Sequence, residues 1–155
     1  MPNNIKPFEE LTLADDFMFY QVMQDDKVYD IEIQNEDMDE LPKRVRYYQS
    51  MIDANELLKG MEYRKLPESI IIFICTGDPF GQGFSQYTFK NVCLEEKKLV
   101  LQDESTKYFF NANAAEKATD IEIRSFLDYI KNKRPTDNFA HTFVFAVKKV
   151  KTVES

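Results

Sequence analysis

Three polar side chains alternate with apolar ones in the segment VYDIEIQ, residues 28–34. Asp30, Glu32 and Gln34 stand at every second position, the period of a strand with one polar and one apolar face. Two carboxylates and an amide therefore point the same way, and because side chains on one strand face lie roughly 6.5–7 Å apart, Glu32 and Gln34 can bracket one ion or water. Hard oxygen ligands favour Mg²⁺ or Mn²⁺. The pattern indicates half of a divalent metal site, and its alternative interpretation is a solvated strand face.

Other catalytic chemistries have little material in this chain. His141 is the only histidine, and its ordinary interpretation is an imidazole on a helix surface. Histidine triads and histidine zinc clusters are therefore improbable. Cys75 and Cys93 lack the CxxC spacing of thiolate metal sites. Carboxylate chemistry is what remains.

The composition predicts one globular domain over residues 1–155. The hydrophobic fraction is 43% and the aromatic fraction 14%, enough to build a packed core. Two cysteines in apolar surroundings give no disulfide framework and fit a reducing compartment. No apolar run approaches the ~20 residues of a membrane span, and the N-terminus has no basic region followed by an apolar stretch. We expect a cytoplasmic protein without a membrane partner.

The formal net charge of −7 argues against a protein surrounded by positive potential for holding nucleic acid. A local basic surface remains compatible with it. Lys43, Arg44 and Arg46 form one such cluster, and residues 131–134 and 148–151 contain two more. For the last two, an ordinary solvated helix face is the simpler interpretation.

Periodicity places these residues on elements. Thr12 followed by Asp15 resembles a capping box and predicts a helix over residues 13–24. A strand over 27–34 follows almost at once. Apolar residues at spacings of four, three and four then predict an amphipathic helix over 39–59, which Gly60 ends.

The second half is predicted to alternate strands and helices. The run SIIIFICT, residues 69–76, predicts a strand in mid-sheet, and GDPFGQG, residues 77–83, a tight turn rather than a phosphate loop. Residues 87–93 are predicted as a strand, and 98–102 with 107–111 as a hairpin. Thr119 with Glu122 is expected to cap a helix, and a last helix is expected from about Asp137. The order predicts a mixed α/β layer fold.

Taken together, these segments resemble a known family. TLADDFMFYQVMQ, VYDIEIQ, LPKRVRYYQSMID and SIIIFICTGDPFGQG, followed by YTFKNVC and KYFFNANA, are similar in order to the transposase-like, recombination-promoting branch of the PD-(D/E)XK nuclease superfamily. The resemblance implies a restriction-endonuclease-like α/β fold, in which helices flank a mixed central sheet. It also implies cleavage of DNA phosphodiesters with Mg²⁺ or Mn²⁺.

The resemblance also implies roles for individual residues. Glu32 corresponds to the glutamate of the (D/E)xK element, with Gln34 in the place of the lysine, where it would orient the attacking water. Supporting roles fall to Asp15, Asp16 and Gln49, and phosphate contacts to Lys43, Arg44 and Arg46. Arg46 and Gln49, three apart on a helix, fit a hydrogen-bonded surface pair equally well.

One departure from the family pattern stands out. Relatives place a helical stretch and a strand carrying the first metal-binding aspartate between the opening helix and residues 28–34, whereas here Gln24 runs directly into Asp25. Asp30, Asp25 or Asp26 would have to replace that ligand. Loss of the strand predicts a sheet that lacks one core strand and exposes an edge, at which a second chain could pair to form a homodimer.

Two functions follow as alternatives. The first is a metal-dependent DNA endonuclease with Glu32, Gln34 and Asp30 as catalytic residues and Glu32, Asp30 and Asp25 as metal ligands. The second is a catalytically inactive remnant that keeps the fold and acts as a DNA-binding or dimerisation module.

Overall fold

The fold is a mixed β-sheet covered by helices. In a computed structural model, residues 4–5, 12–14, 17–24, 26–34, 38–58, 60 and 62–132 are described. The strands are β1 (Asn4–Ile5), β2 (Thr12–Ala14), β3 (Phe17–Gln24), β4 (Lys27–Gln34), β5 (Glu68–Cys75), β6 (Gln86–Phe89) and β7 (Ser105–Asn111). The α-helices are α1 (Leu41–Leu58), which follows a 3-10 turn at Met38–Glu40, and α2 (Ile121–Asn132). Two further 3-10 helices are Tyr63–Lys65 and Ala112–Lys117.

The strand order is β1-β3-β4-β5-β7-β6, with β2 also paired to β3. β4, β5 and β7 run parallel, whereas β3 and β6 are antiparallel to their neighbours. β5 lies at the centre, and its residues from Ser69 to Cys75 are buried. The prediction of a covered mid-sheet strand at 69–76 is therefore confirmed.

Two apolar layers enclose the sheet. On one side, residues such as Tyr29, Ile31 and Ile72 pack against α2. On the other side, Val28 and Phe73 belong to a cluster with residues of α1. The sheet is thus covered on both faces within the described residues, and the expected mixed α/β layering is confirmed.

The predicted helix over residues 13–24 is wrong. Residues 17–24 form β3, which pairs along its whole length with β4, from Phe17 opposite Gln34 to Gln24 opposite Lys27. Gln24 pairs with Lys27 at the end of the ladder, and Asp26, which comes just before Lys27, has φ 60°. The abrupt join at Gln24 is therefore a hairpin connection.

The expected exposed edge beside β4 is also wrong, because β3 of the same chain occupies that position. The expected homodimer therefore has no open edge beside β4 through which to pair. No helix among the described residues combines the length and apolar character that a bilayer crossing requires.

Several boundaries in the second half differ from expectation. The predicted hairpin of 98–102 with 107–111 does not form: β7 lies between β5 and β6, and residues 98–102 contribute only the isolated bridge between Val100 and Val92. The strand predicted over 87–93 ends at Phe89. Asp120, rather than Thr119, caps α2 by accepting the backbone N–H groups of Glu122 and Ile123. The helix expected from Asp137 lies outside the described residues.

The glycine-containing loop after β5 is a turn, as predicted. One Asp78 oxygen accepts the Phe80 and Gly81 N–H groups at 3.1 and 2.9 Å and the Tyr87 hydroxyl at 2.7 Å, and the other accepts the Gly83 N–H at 2.7 Å. These bonds hold the pKa of the Asp78 carboxyl below its ordinary value even though burial opposes them. Asp78 therefore acts as the organising group of this turn. Gly60 likewise ends α1, with φ 79° and its N–H bonded to the Leu57 carbonyl.

Candidate active site

Asp30 and Glu32 lie on the face of β4 that α1 covers. They stand in register with Ile71 and Phe73 of β5, on the same face because residues two apart in a strand share a face. Asp30 is 2% exposed and Glu32 1%. The alternative of a solvated strand face is therefore wrong for these two residues.

Helix α1 supplies the polar partners of Glu32. The Arg44 guanidinium donates to Glu32 Oε1 at 2.8 Å, and it also donates to the Tyr48 hydroxyl at 3.2 Å. The Tyr48 hydroxyl lies 3.5 Å from the same Glu32 oxygen, a long and weak contact. Arg44 and Tyr48 are four residues apart and share one helix face, so they approach Glu32 together.

Each of the two carboxylates keeps an unused oxygen. Glu32 Oε2 and Asp30 Oδ1 are buried and have no hydrogen-bond partner among the described residues. A buried charged oxygen without a partner loses hydration with nothing in return, which costs several kcal/mol by order of magnitude. Each carboxylate therefore has one oxygen that can still accept a hydrogen bond or bind a cation.

Burial also disfavours negative charge on both groups. It raises the pKa of Asp30 to about 8, and the neighbouring Glu32 charge adds to this effect. Burial raises the pKa of Glu32 to about 7, although the Arg44 charge and the Tyr48 hydrogen bond pull it down. Near neutral pH the pair thus holds protons that a positively charged ligand could replace.

These donors fit a hard divalent cation. Two carboxylates on one strand face with unpartnered oxygens are the ligand type that Mg²⁺ and Mn²⁺ select, and Mg²⁺ is commonly held by one or two carboxylates with waters and substrate phosphates. Within the described ranges, no group of three His, Cys, Asp or Glu side chains could hold a metal. Asp30 and Glu32 are two of the predicted metal ligands, and each keeps a buried oxygen without a described hydrogen-bond partner.

The sequence of this chain matches the model of one known protein family. The sequence model of a family described as PD-(D/E)XK nuclease family transposase matches residues 15–143. The chain belongs to this family. Searches of curated proteins and of solved structures gave no match. The mixed sheet with flanking helices accords with the restriction-endonuclease-like fold of PD-(D/E)XK nucleases.

The other predicted metal ligands and catalytic residues of this PD-(D/E)XK chain are not placed with Asp30 and Glu32 by the described structure. Gln34 is the last residue of β4, in register with Cys75. Asp26 is exposed in the turn before β4, four positions from Asp30. Asp15, Asp16 and Asp25 lie outside the described residues.

Gln49 belongs to a separate polar cluster. Its side-chain amide donates to both Asp53 carboxylate oxygens at 3.2 and 3.3 Å, while its oxygen accepts the Ser69 and Ser105 hydroxyls at 3.1 and 3.0 Å. These bonds connect α1 to the beginnings of β5 and β7, so Gln49 is placed away from Glu32.

The basic cluster divides into two parts. Lys43 and Arg46 are exposed on α1, where they are accessible to a phosphate backbone. Arg44 instead turns inward to Glu32, with 21% of its side chain exposed. The sequence did not single out Tyr48 as a polar partner of Glu32, because Tyr48 fitted the apolar stripe of α1. Its position four residues after Arg44, on the same helix face, was the available signal.

Proposed function

We propose that this PD-(D/E)XK protein is a metal-dependent DNA endonuclease. The observation that carries the proposal is the buried pair Asp30 and Glu32, each with an oxygen that no described group satisfies. A carboxylate pair kept only for stability would be expected to have its oxygens hydrogen-bonded. Strongly perturbed carboxylates are characteristic of functional sites.

Asp30 and Glu32 would hold Mg²⁺ or Mn²⁺, with Asp25 or Gln34 as further contributors that remain predictions. When bound, the ion supplies stabilisation of negative charge and a more acidic water. Arg44 orients the Glu32 carboxylate through the 2.8 Å bond, and Tyr48 in turn accepts a bond from Arg44.

DNA is the proposed substrate, and the outer surface of α1 is its proposed contact. Lys43 and Arg46 are exposed on the helix that carries Arg44 inward, so they would hold a phosphate chain on the element that covers the carboxylate pair. Within the proposal the protein acts in the cytoplasm, a setting that the free thiols of Cys75 and Cys93 support.

The test is nicking of a supercoiled plasmid with Mg²⁺ or Mn²⁺. Wild-type protein should nick the plasmid, and Glu32→Gln should reduce the rate by at least about 100-fold because a metal ligand is lost. Glu116→Gln, which changes an exposed carboxylate, is the matched control and should retain wild-type activity. Equal nicking by Glu32→Gln and Glu116→Gln would overturn the assignment.

A specific observation favours a second function, a DNA-binding module without catalysis. Arg44 already forms an ion pair with one Glu32 oxygen, and the described residues contain no group of three His, Cys, Asp or Glu side chains that could hold a metal ion. Under this alternative the wild-type protein binds plasmid DNA but leaves it supercoiled at every concentration of Mg²⁺ and Mn²⁺.

A further inference from the structure

A cavity of about 500 Å³ lies at the end of the sheet where β5 and β7 begin, and nothing in the proposed cleavage chemistry uses it. It opens where β5 and β7 begin, against the second half of α1. Gln49 and Asp53 of α1 line one side, and Ser69 and Ser105 of the strands line its base. Its volume falls within the roughly 300–1,000 Å³ typical of small-molecule sites.

The cavity and the carboxylate pair lie at different positions along the same helix, α1, and along the same strand pairing of β4 with β5. Asp53 follows Arg44 by nine helical residues, about 13 Å along the axis of α1. Ser69 precedes Phe73, the residue in register with Glu32, by four strand residues, also about 13 Å. That separation equals about four base steps along a DNA duplex. A nucleic acid that spans both places would therefore need to cover only a few nucleotides.

The lining chemistry suits a neutral, planar ligand that both donates and accepts hydrogen bonds. Asn91 and Gln102 carry amides of the kind that read base edges. The Asp53 and Asp103 carboxylates already accept bonds from Gln49 and Asn91, and a carboxylate oxygen can accept more than one bond. Tyr63 provides an aromatic ring for stacking at the cavity, and it is 81% exposed.

Charge argues against a phosphate as the occupant. Three carboxylates, those of Asp53, Asp103 and Glu104, line the cavity together with two cations. Both cations already have partners: Arg64 donates to Glu62 at 2.8 Å, and Lys107 donates to the Ser105 hydroxyl at 2.6 Å. The excess of negative charge repels a phosphate and leaves a neutral base unaffected.

The wall of the cavity is held in a strained backbone conformation. Gln102 and Glu104 have φ of 49° and 54°, the left-handed region that side chains other than glycine rarely adopt. Asn91 fixes the residue between them by donating to Asp103 at 2.7 Å. Such strain persists where the surroundings demand it, and ligand sites are common places for it.

We propose that this cavity binds a single unstacked nucleobase of the DNA substrate, with Tyr63 stacking on the base and the amides of Asn91 and Gln102 contacting its edge. The proposal rests on the proposed function in that it takes DNA as the substrate. The same chemistry would accept a free nucleoside, so the test must separate the two sources.

The probe is 2-aminopurine, a fluorescent adenine analogue, used as the free nucleoside, as one unpaired residue in a duplex and as a fully paired residue in the same duplex. Dissociation constants are measured by fluorescence without divalent cations, so that no cleavage intervenes. We expect the unpaired duplex to bind roughly fivefold or more tightly than the paired duplex, the lower range of base–aromatic stacking. Tyr63→Ala should abolish this preference.

Two further variants separate binding from structure. Tyr47→Ala removes another exposed tyrosine, 62% exposed on α1 and outside the cavity lining, and should keep the preference. Gln102→Gly should raise the melting temperature by relieving the left-handed residue while weakening binding of the unpaired duplex. A loop residue with only a structural role would not lose affinity on being stabilised.

The outcomes distinguish this proposal from the proposed function. Equal affinity for paired and unpaired duplexes, or equal loss in Tyr63→Ala and Tyr47→Ala, would overturn the base-binding cavity while plasmid nicking stands. A third result is a protein that binds the free nucleoside saturably and through Tyr63 but neither binds nor nicks DNA. The cavity would then be a nucleobase site whose ligand is a free nucleoside, and the endonuclease proposal would be wrong.

Discussion

The two carboxylate oxygens of Glu32 have unequal surroundings. Oε1 receives the Arg44 guanidinium at 2.8 Å, whereas Oε2 is buried without a described hydrogen-bond partner. Arg44 therefore compensates the burial of one Glu32 oxygen and leaves the other without a described hydrogen-bond donor. A cation shared with Asp30 would complete the site.

Removing Arg44 should destabilise the protein above the Glu32 pKa of about 7, because the carboxylate is then charged and buried without its cation. We expect Arg44→Met, which keeps the aliphatic stem, to lower the free energy of unfolding by roughly 1.5–3 kcal/mol. Urea denaturation measures this change. Adding Glu32→Gln to Arg44→Met should recover part of the loss, since the unpaired charge is then gone.

The control for this variant lies one residue away on the same helix. Lys43 is exposed, so Lys43→Met should change stability by no more than about 0.5 kcal/mol. A double variant whose loss is simply the sum of the two single losses would show that Arg44 and Glu32 do not interact.

The carboxylate pair should make the metal-free protein less stable as the pH rises. Folding raises the pKa of Asp30 from 3.8 to about 8 and that of Glu32 from 4.5 to about 7, so the native state binds more protons than the unfolded state in between. The resulting stability is fully present below about pH 4 and is lost as the pH rises through 7 and 8. For each proton the slope reaches at most about 1.4 kcal/mol per pH unit.

Thermal melting between pH 5 and pH 9 in the presence of a chelator tests this dependence. Asp30→Asn should flatten the decline because it removes the group with the larger rise in pKa. Asp39→Asn, at an exposed position, should leave the wild-type decline in place. A decline that is equally steep in Asp30→Asn would mean that Asp30 is not the titrating group.

At the residue scale, the alternation in VYDIEIQ was sufficient to select Asp30 and Glu32 but not to predict their burial. Alternation shows that two side chains share a face, and it carries no information on what covers that face. The cover is α1, whose Arg44 and Tyr48 reach Glu32 across 12 and 16 residues of sequence. The bonds of Gln49 to Ser69 and Ser105 span 20 and 56 residues and were equally beyond local patterns.

At the scale of elements, β3 shows why a short apolar run is ambiguous. The sequence FMFYQVMQ is nearly continuously apolar, so neither a period of 3.6 nor a period of two separates helix from strand. The decision comes from pairing with β4, whose eight residues match those of β3 one for one. The turn between them was visible in the sequence as an abrupt join, but Asp-Asp is not a typical hairpin turn sequence.

That turn gives a test of the hairpin. Asp26 has φ 60°, where a residue with a Cβ is strained, so Asp26→Gly should stabilise the protein by up to about 1 kcal/mol. Asp39→Gly, in the 3-10 turn before α1, should give no gain. Chemical denaturation of both variants measures the difference. Destabilisation by Asp26→Gly would indicate a helical connection instead of a turn.

Elements that depend on distant partners were predicted less well than those with a strong local signal. β5 was placed correctly in mid-sheet because its apolar run is covered on both faces. Residues 98–102 were predicted as a strand from composition, yet Leu99 and Leu101 are exposed and find no strand to pair along. β7 pairs instead with β5 and β6, a choice that depends on the order of the whole sheet.

At the scale of the whole molecule, the net charge of −7 means that DNA binding must rely on a local surface. Lys43 and Arg46 on α1 are the proposed phosphate contacts. Replacing both by alanine should reduce the slope of log K against log salt concentration by about 1.8, near 0.9 for each lost contact. Filter binding over a range of salt concentrations measures the slope.

A matched pair of cations elsewhere gives the control for the salt experiment. Lys97 and Lys98 are exposed in the segment between β6 and β7, so replacing both by alanine makes the same change in net charge. Their slope should stay close to that of the wild type. Equal reductions in the two double variants would show that DNA binding responds to total charge and not to the surface of α1.

The most direct measurement for the central claim is calorimetric titration of Mn²⁺ into the wild-type protein and Glu32→Gln. We expect one saturable site in the wild type at pH 8, weaker binding at pH 6 because protons compete for Asp30 and Glu32, and no saturable binding in Glu32→Gln. Absence of saturable heat in the wild type, or an isotherm unchanged by Glu32→Gln, would contradict a divalent cation site at the carboxylate pair.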